Sequence, residues 1–87
     1  MMTGEPSPAR SALYRGDLAS THRIAATMVA RDPRDAEGHF LLGIAESGAG
    51  RIQAGIAHLG QAVALDPQGE YRAQLARLEE AVALSAE

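Results

Sequence analysis

The pattern Val-Ala-x-Asp-Pro occurs twice, at Val29–Pro33 and at Val63–Pro67. The 34-residue interval between the copies constrains the fold more than any other feature of the chain. Asp-Pro ends a helix, because proline drives the residue before it out of the α region. With the chain laid over itself at that shift, Gly16 falls on Gly50, Leu18 on Ile52, Ala25 on Leu59 and Met28 on Ala62. Further on, Leu41 falls on Leu75 and Ile44 on Leu78. Breaks align with breaks and apolar positions with apolar positions, which an Ala-rich composition does not readily produce by chance.

The segments between the breaks read as helices. Ser7-Pro8 is a start signal, with serine as N-cap and proline tolerated at the first helical position, so a short helix is expected over Ala9–Arg15, ending at Gly16. Asp17 caps the next segment, whose apolar stripe runs through Leu18, Ala25, Met28 and Val29 to the Asp32-Pro33 stop. Asp35 caps a third helix with the apolar body Phe40, Leu41, Leu42, Ile44 and Ala45, and Gly48-Ala49-Gly50 breaks the chain after it. Ile52, Ile56, Leu59 and Val63 recur at i, i+4, i+7 and i+11 up to Asp66-Pro67. A last helix from about Glu70 carries Leu75, Leu78 and Val82 on one side. No segment alternates with period 2, so the expected class is all-α with five helices, after a disordered lead-in over residues 1–8.

Composition narrows the function. With 87 residues the chain is one small domain, and its core lies near the lower limit for independent stability. Eight basic residues, all arginine, stand against eleven acidic ones, so the net charge of −3 offers no basic surface for phosphate backbones and no nucleic-acid partner is expected. There is no cysteine, which excludes disulfides and thiolate metal sites. MMTGEPSPAR has no apolar core of a secretory signal and no apolar run reaches 18 residues, so a cytoplasmic protein with no membrane partner is the expectation. The aromatics are only Tyr14, Phe40 and Tyr71. A core of Ala, Leu, Ile and Val suits closely packed thin helices more than an enclosed substrate cavity.

A 34-residue helix–turn–helix unit is the signature of the tetratricopeptide repeat, whose pattern runs W-x2-L-G-x2-Y…A-x3-F…P. The unit 36–69 resembles it: His39-x2-Leu42-Gly43-x2-Glu46 stands for the first half, and Gly55-x3-Leu59-x2-Ala62 followed by Pro67 for the second. The resemblance implies a degenerate repeat up to residue 35, a full repeat over 36–69, and a closing helix over 70–85, within a domain spanning 9–87. It implies antiparallel helix-turn-helix hairpins stacked in a short right-handed solenoid. Gly43, and small residues such as Gly55 and Ala62, let two helix backbones approach closely, while His39 for Trp, Glu46 for Tyr and Gly55 for Ala depart from the pattern and predict a loosely packed repeat. Ala76-Arg77 replaces Leu42-Gly43 in the closing helix, and arginine at that close-contact position admits no further tightly packed helix.

Catalytic chemistry finds no foothold. His22, His39 and His58 lie on three different expected helices without ligand spacing, so packing roles are expected, with neither a metal site nor a cofactor. Ser11, Ser20, Ser47 and Ser85 have no G-x-S-x-G setting. Gly48-Ala49-Gly50-Arg51 lacks the preceding strand and the lysine of a phosphate-binding loop. The chain is expected to be no enzyme.

What remains is surface. In the tetratricopeptide family the first helices of successive repeats line a concave groove that holds peptides or partner helices. Carried onto this chain, that groove would present Leu13 and Tyr14, then Glu37, Phe40 and Ile44, then Tyr71, Gln74 and Leu78. Phe40 and Leu78 are equally placed to pack between neighbouring helices instead. Phe40→Ala is expected to weaken partner binding more than folding. Family members that clamp chaperone tails carry Lys, Asn and Arg where this chain has Phe40, Ile44, Tyr71 and Leu75, so a partly apolar ligand is implied. The leading expectation is a non-catalytic adaptor or scaffold that binds a protein or peptide partner. Self-association into a homodimer is a further expectation, since about three repeats are usual for stability. The alternative is the N-terminal segment of a longer bacterial enzyme. The closing stretch AVALSAE ends its helix with no Gly, Asn or basic residue, and such repeats resemble those preceding sulfotransferase-like or glycosyltransferase-like domains, though no transferase motif is present.

Overall fold

The computed structural model describes residues 7–85. They form five helices, α1 (Pro8–Tyr14), α2 (Leu18–Arg31), α3 (Ala36–Gly48), α4 (Ile52–Leu65) and α5 (Gly69–Ser85), and no strand occurs among the described residues. Of the lead-in expected to be disordered, residues 1–6 lie outside the described ones. Ser7 and Pro8 are instead the N-cap and first residue of α1, with the Ser7 hydroxyl accepting from the Arg10 amide.

The 34-residue interval recurs in the backbone. Helix α4 begins and ends 34 positions after α2, and α3 ends 34 positions after α1. Gly16 and Gly50 take positive φ of 77° and 91°, a region only glycine enters without strain. Each closes a Schellman motif: Gly16 N–H donates to Leu13 O and Asp17 N–H to Ala12 O, while Gly50 N–H donates to Ser47 O and Arg51 N–H to Glu46 O. Asp32 and Asp66 cap α2 and α4 in matching extended conformations, and their amides bond the carbonyls of Met28 and Ala62. Asp17 and Asp35 serve as N-caps through their carboxylates, bonding the amides of Ser20 and Gly38.

Each helix packs on its neighbours in sequence, and α1 also meets α3. Connections of three or four residues make successive helices antiparallel. Gly38 lies against Met28 and Val29 while Gly48 lies against Leu18, so α2 and α3 run in opposite directions.

The α3–α4 contact is the most extensive, and two glycines set its distance. A methyl on Gly43 would lie 3.0 Å from the Gly55 carbonyl oxygen and 2.8 Å from Leu59 Cγ. A methyl on Gly55 would lie 2.9 Å from the Gly43 carbonyl oxygen and 2.1 Å from Ser47 Oγ. The loosely packed repeat expected from the sequence is therefore corrected. Gly55 is where two backbones touch, His39 is buried with hydrogen bonds at both ring nitrogens, and Glu46 is paired with His22 and Arg51.

The core gathers Ala9, Ala25, Phe40, Leu41, Leu42, Leu59, Ala62 and Tyr71, with Ile44, Val63, Leu75 and Leu78 half-buried around it. Of the four largest fully buried side chains, Phe40 and Leu41 come from α3 and Leu59 from α4. Helix α5 buries only Tyr71, near its start, and the remainder of its length is half-covered or exposed.

Candidate interaction face

Helices α1, α3 and α5 meet through one polar cluster. Arg10 of α1 donates to both oxygens of Glu37 at the start of α3, from Nε to Oε2 at 2.7 Å and from Nη2 to Oε1 at 2.9 Å. Its Nη1 donates to Glu70 Oε2 of α5 at 3.0 Å. Tyr71 Oη donates to Glu37 Oε1 at 3.0 Å. The fork geometry of guanidinium matches a carboxylate edge to edge, so this pair fixes orientation as well as charge. The Arg10 guanidinium, held there by Glu37 and Glu70, has its pKa driven further above its ordinary value despite partial burial. Bonding from Arg10, and secondarily from Tyr71, holds the Glu37 carboxyl below the usual range against the opposing effect of burial. Burial, then the Glu37 bond, pushes the Tyr71 phenol up.

Beneath the cluster lie two aromatic rings. Phe40 and Tyr71 have centroids 4.5 Å apart at 33°, and Arg10 Cζ sits 5.4 Å from the Phe40 centroid. Beside them opens a cleft of about 310 Å³, walled by Leu13 and Tyr14 of α1, Phe40 and Ile44 of α3, and Gln74 of α5. A second cleft, between α3, α4 and α5, shares Ile44, Gln74 and Arg77 and adds Leu78.

Six of the eight groove residues expected from sequence thus border two adjoining clefts: Leu13, Tyr14, Phe40, Ile44, Gln74 and Leu78. The other two serve beneath them, Glu37 as the acceptor of the polar cluster and Tyr71 as its donor and as core. Phe40 is 1 % exposed and Tyr71 3 %, so neither is an exposed anchor. The expectation that Phe40→Ala would weaken binding more than folding is corrected on that ground. Tyr14, 66 % exposed, is the aromatic that a partner can reach.

Sequence reading passed over Arg10 and Glu70, because nothing local marks an arginine 27 residues before its carboxylate. It also missed a histidine pair. His39 Nε2 lies 2.8 Å from the Pro33 carbonyl oxygen, which can only accept, so that nitrogen carries a proton. In the neutral ring Nδ1 then accepts from His58 Nδ1–H at 3.3 Å, joining α3 to α4. Burial, then the neighbouring His39, lowers the pKa of His58. His22 bonds Glu46, whose carboxyl is lowered chiefly by Arg51. No group of three or more His, Cys, Asp or Glu among the described residues is placed to hold a metal ion. No described helix is long and apolar enough to cross a membrane.

No protein-family model matches the chain, and no curated protein matches it.

Proposed function

We propose that the chain is a tetratricopeptide-type interaction module that holds a partly apolar peptide or helix against α1, α3 and α5. The observation that carries this reading is the cleft of Leu13, Tyr14, Phe40, Ile44 and Gln74, drawn from three helices that the Arg10–Glu37–Tyr71 cluster ties together. The 34-residue recurrence of helix ends, caps and Schellman closures supports the repeat assignment and its short solenoid form. The cleft is apolar along Leu13, Phe40 and Ile44, with the Tyr14 hydroxyl and the Gln74 amide at its rim to orient a backbone or polar side chain.

Selection of a peptide library on the immobilised chain tests the reading. Tyr14→Ala should weaken the selected peptide at least about tenfold, roughly 1.4 kcal/mol, with an unchanged thermal midpoint. Selected peptides that bind Tyr14→Ala and Gln74→Ala as tightly as the parent would place binding elsewhere and overturn it.

A further inference from the structure

Helix α5 has a face that nothing among the described residues covers. Ala73, Ala76, Arg77, Glu80, Ala83 and Leu84 recur at helical spacing, and all six are exposed, Leu84 at 67 %, while Ala73 and Arg77 also border the cleft against α1 and α3. The first four of these positions lie 34 residues after His39, Leu42, Gly43 and Glu46, the face by which α3 meets α4. The hydrogen of Gly43 is what lets that helix in. Arg77 stands at the equivalent place, so this face cannot receive a following helix in the same close way. Its charges point to a different occupant. Arg77 bonds only Gln74, and neither it nor Glu80 has an oppositely charged group within 4.0 Å among the described residues.

We propose that this face pairs with its own copy, α5 against α5, in an antiparallel homodimer. A two-fold axis passing between Leu78 and Glu79 sets Arg77 opposite the partner's Glu80 and Glu80 opposite the partner's Arg77. The same axis sets Leu84 opposite the partner's Ala73, a large side chain against a small one, and both pairings occur twice because the interface is isologous. The alanines leave room between the two helices for the Arg77 and Glu80 side chains, and the antiparallel arrangement places opposite helix-dipole ends side by side. The partner is therefore a second copy of this chain, recognised by self-complementary charge.

Charge exchange tests it without touching the core, since both residues are exposed. Sedimentation velocity across a dilution series reaching about 1 mM should show a concentration-dependent dimer. Arg77→Glu and Glu80→Arg should each shift the protein to monomer at unchanged helical content. Mixing the two variants should restore a dimer, because the first then presents acidic side chains at both positions and the second presents basic ones at both. The double exchange in one chain should restore a homodimer. A parent protein that stays monomeric overturns the proposal. So does a dimer that survives both single exchanges, or one that mixing fails to restore.

Discussion

Tyr71 donates its phenolic hydrogen to Glu37 at 3.0 Å, and the two residues are 34 positions apart. One stands near the start of α3 and the other near the start of α5. The bond joins those helices directly, while Arg10 reaches the same carboxylate from α1. A side-chain cluster of four residues thus spans three helices. It holds the walls of the cleft at a set spacing.

Lowering the pH should loosen that cluster. The Glu37 carboxyl lies below its ordinary value of 4.5, so the folded state binds fewer protons than the unfolded chain as acid is added. Its contribution is full above the unfolded value and is lost as pH falls through the lowered one. Glu37→Gln should lower stability at neutral pH and flatten the fall between about pH 5 and 3 in thermal melts. Asp17 and Glu46, also held low, should leave some acid sensitivity behind. An acid limb as steep in Glu37→Gln as in the parent would contradict this.

Histidine protonation should act at higher pH. His58 sits below its ordinary 6.5, because burial and His39 disfavour its charged form. The neutral His58 ring is favoured by folding, so this part of the stability is present above 6.5 and is lost as pH falls through the lowered value. Proton NMR should show the His58 ring titrating below 6.5, and His58→Gln should remove part of the drop in melting temperature on acidification. A His58 ring that titrates above 6.5 would contradict this.

Gly55→Ala sets two effects against each other. Alanine is better than glycine in a helix interior by about 1 kcal/mol. Against that, the new methyl would meet the Gly43 carbonyl oxygen at 2.9 Å, and that oxygen belongs to a backbone that cannot turn aside as Ser47 can. Overpacking typically costs about 1–3 kcal/mol, so we expect the steric effect to win and the thermal midpoint to fall. Gly60→Ala, where a methyl meets nothing within 4 Å, should raise it and serves as the control.

Phe40 and Tyr14 should separate folding from surface. Phe40→Ala removes a ring that is 1 % exposed and packed on Tyr71, at a cost of about 3–5 kcal/mol, enough to unfold much of a domain this small. Phe40→Leu should fold with a reduced midpoint. Tyr14→Ala should stay within about 0.5 kcal/mol of the parent by denaturant melt. A large loss for Tyr14→Ala would place that ring in the core.

The sequence by itself determined the elements and their ends. Ser7, Asp17 and Asp35 cap helices, Gly16 and Gly50 close them, and Asp32-Pro33 and Asp66-Pro67 stop them, because each signal acts through a few adjacent residues. Six of the thirteen residues that border the two clefts were also legible, through the resemblance to the tetratricopeptide pattern. Only the tertiary structure decided what each of those residues does. Phe40 and Tyr71 went to the core, Glu37 became the acceptor of Arg10, and His39 found His58, because burial and pairing depend on how far apart helices pack. For the His39–His58 pair that distance is set by the Gly43–Gly55 contact between α3 and α4, and for the others by how α1 and α5 lie on α3, which periodicity along one helix does not encode.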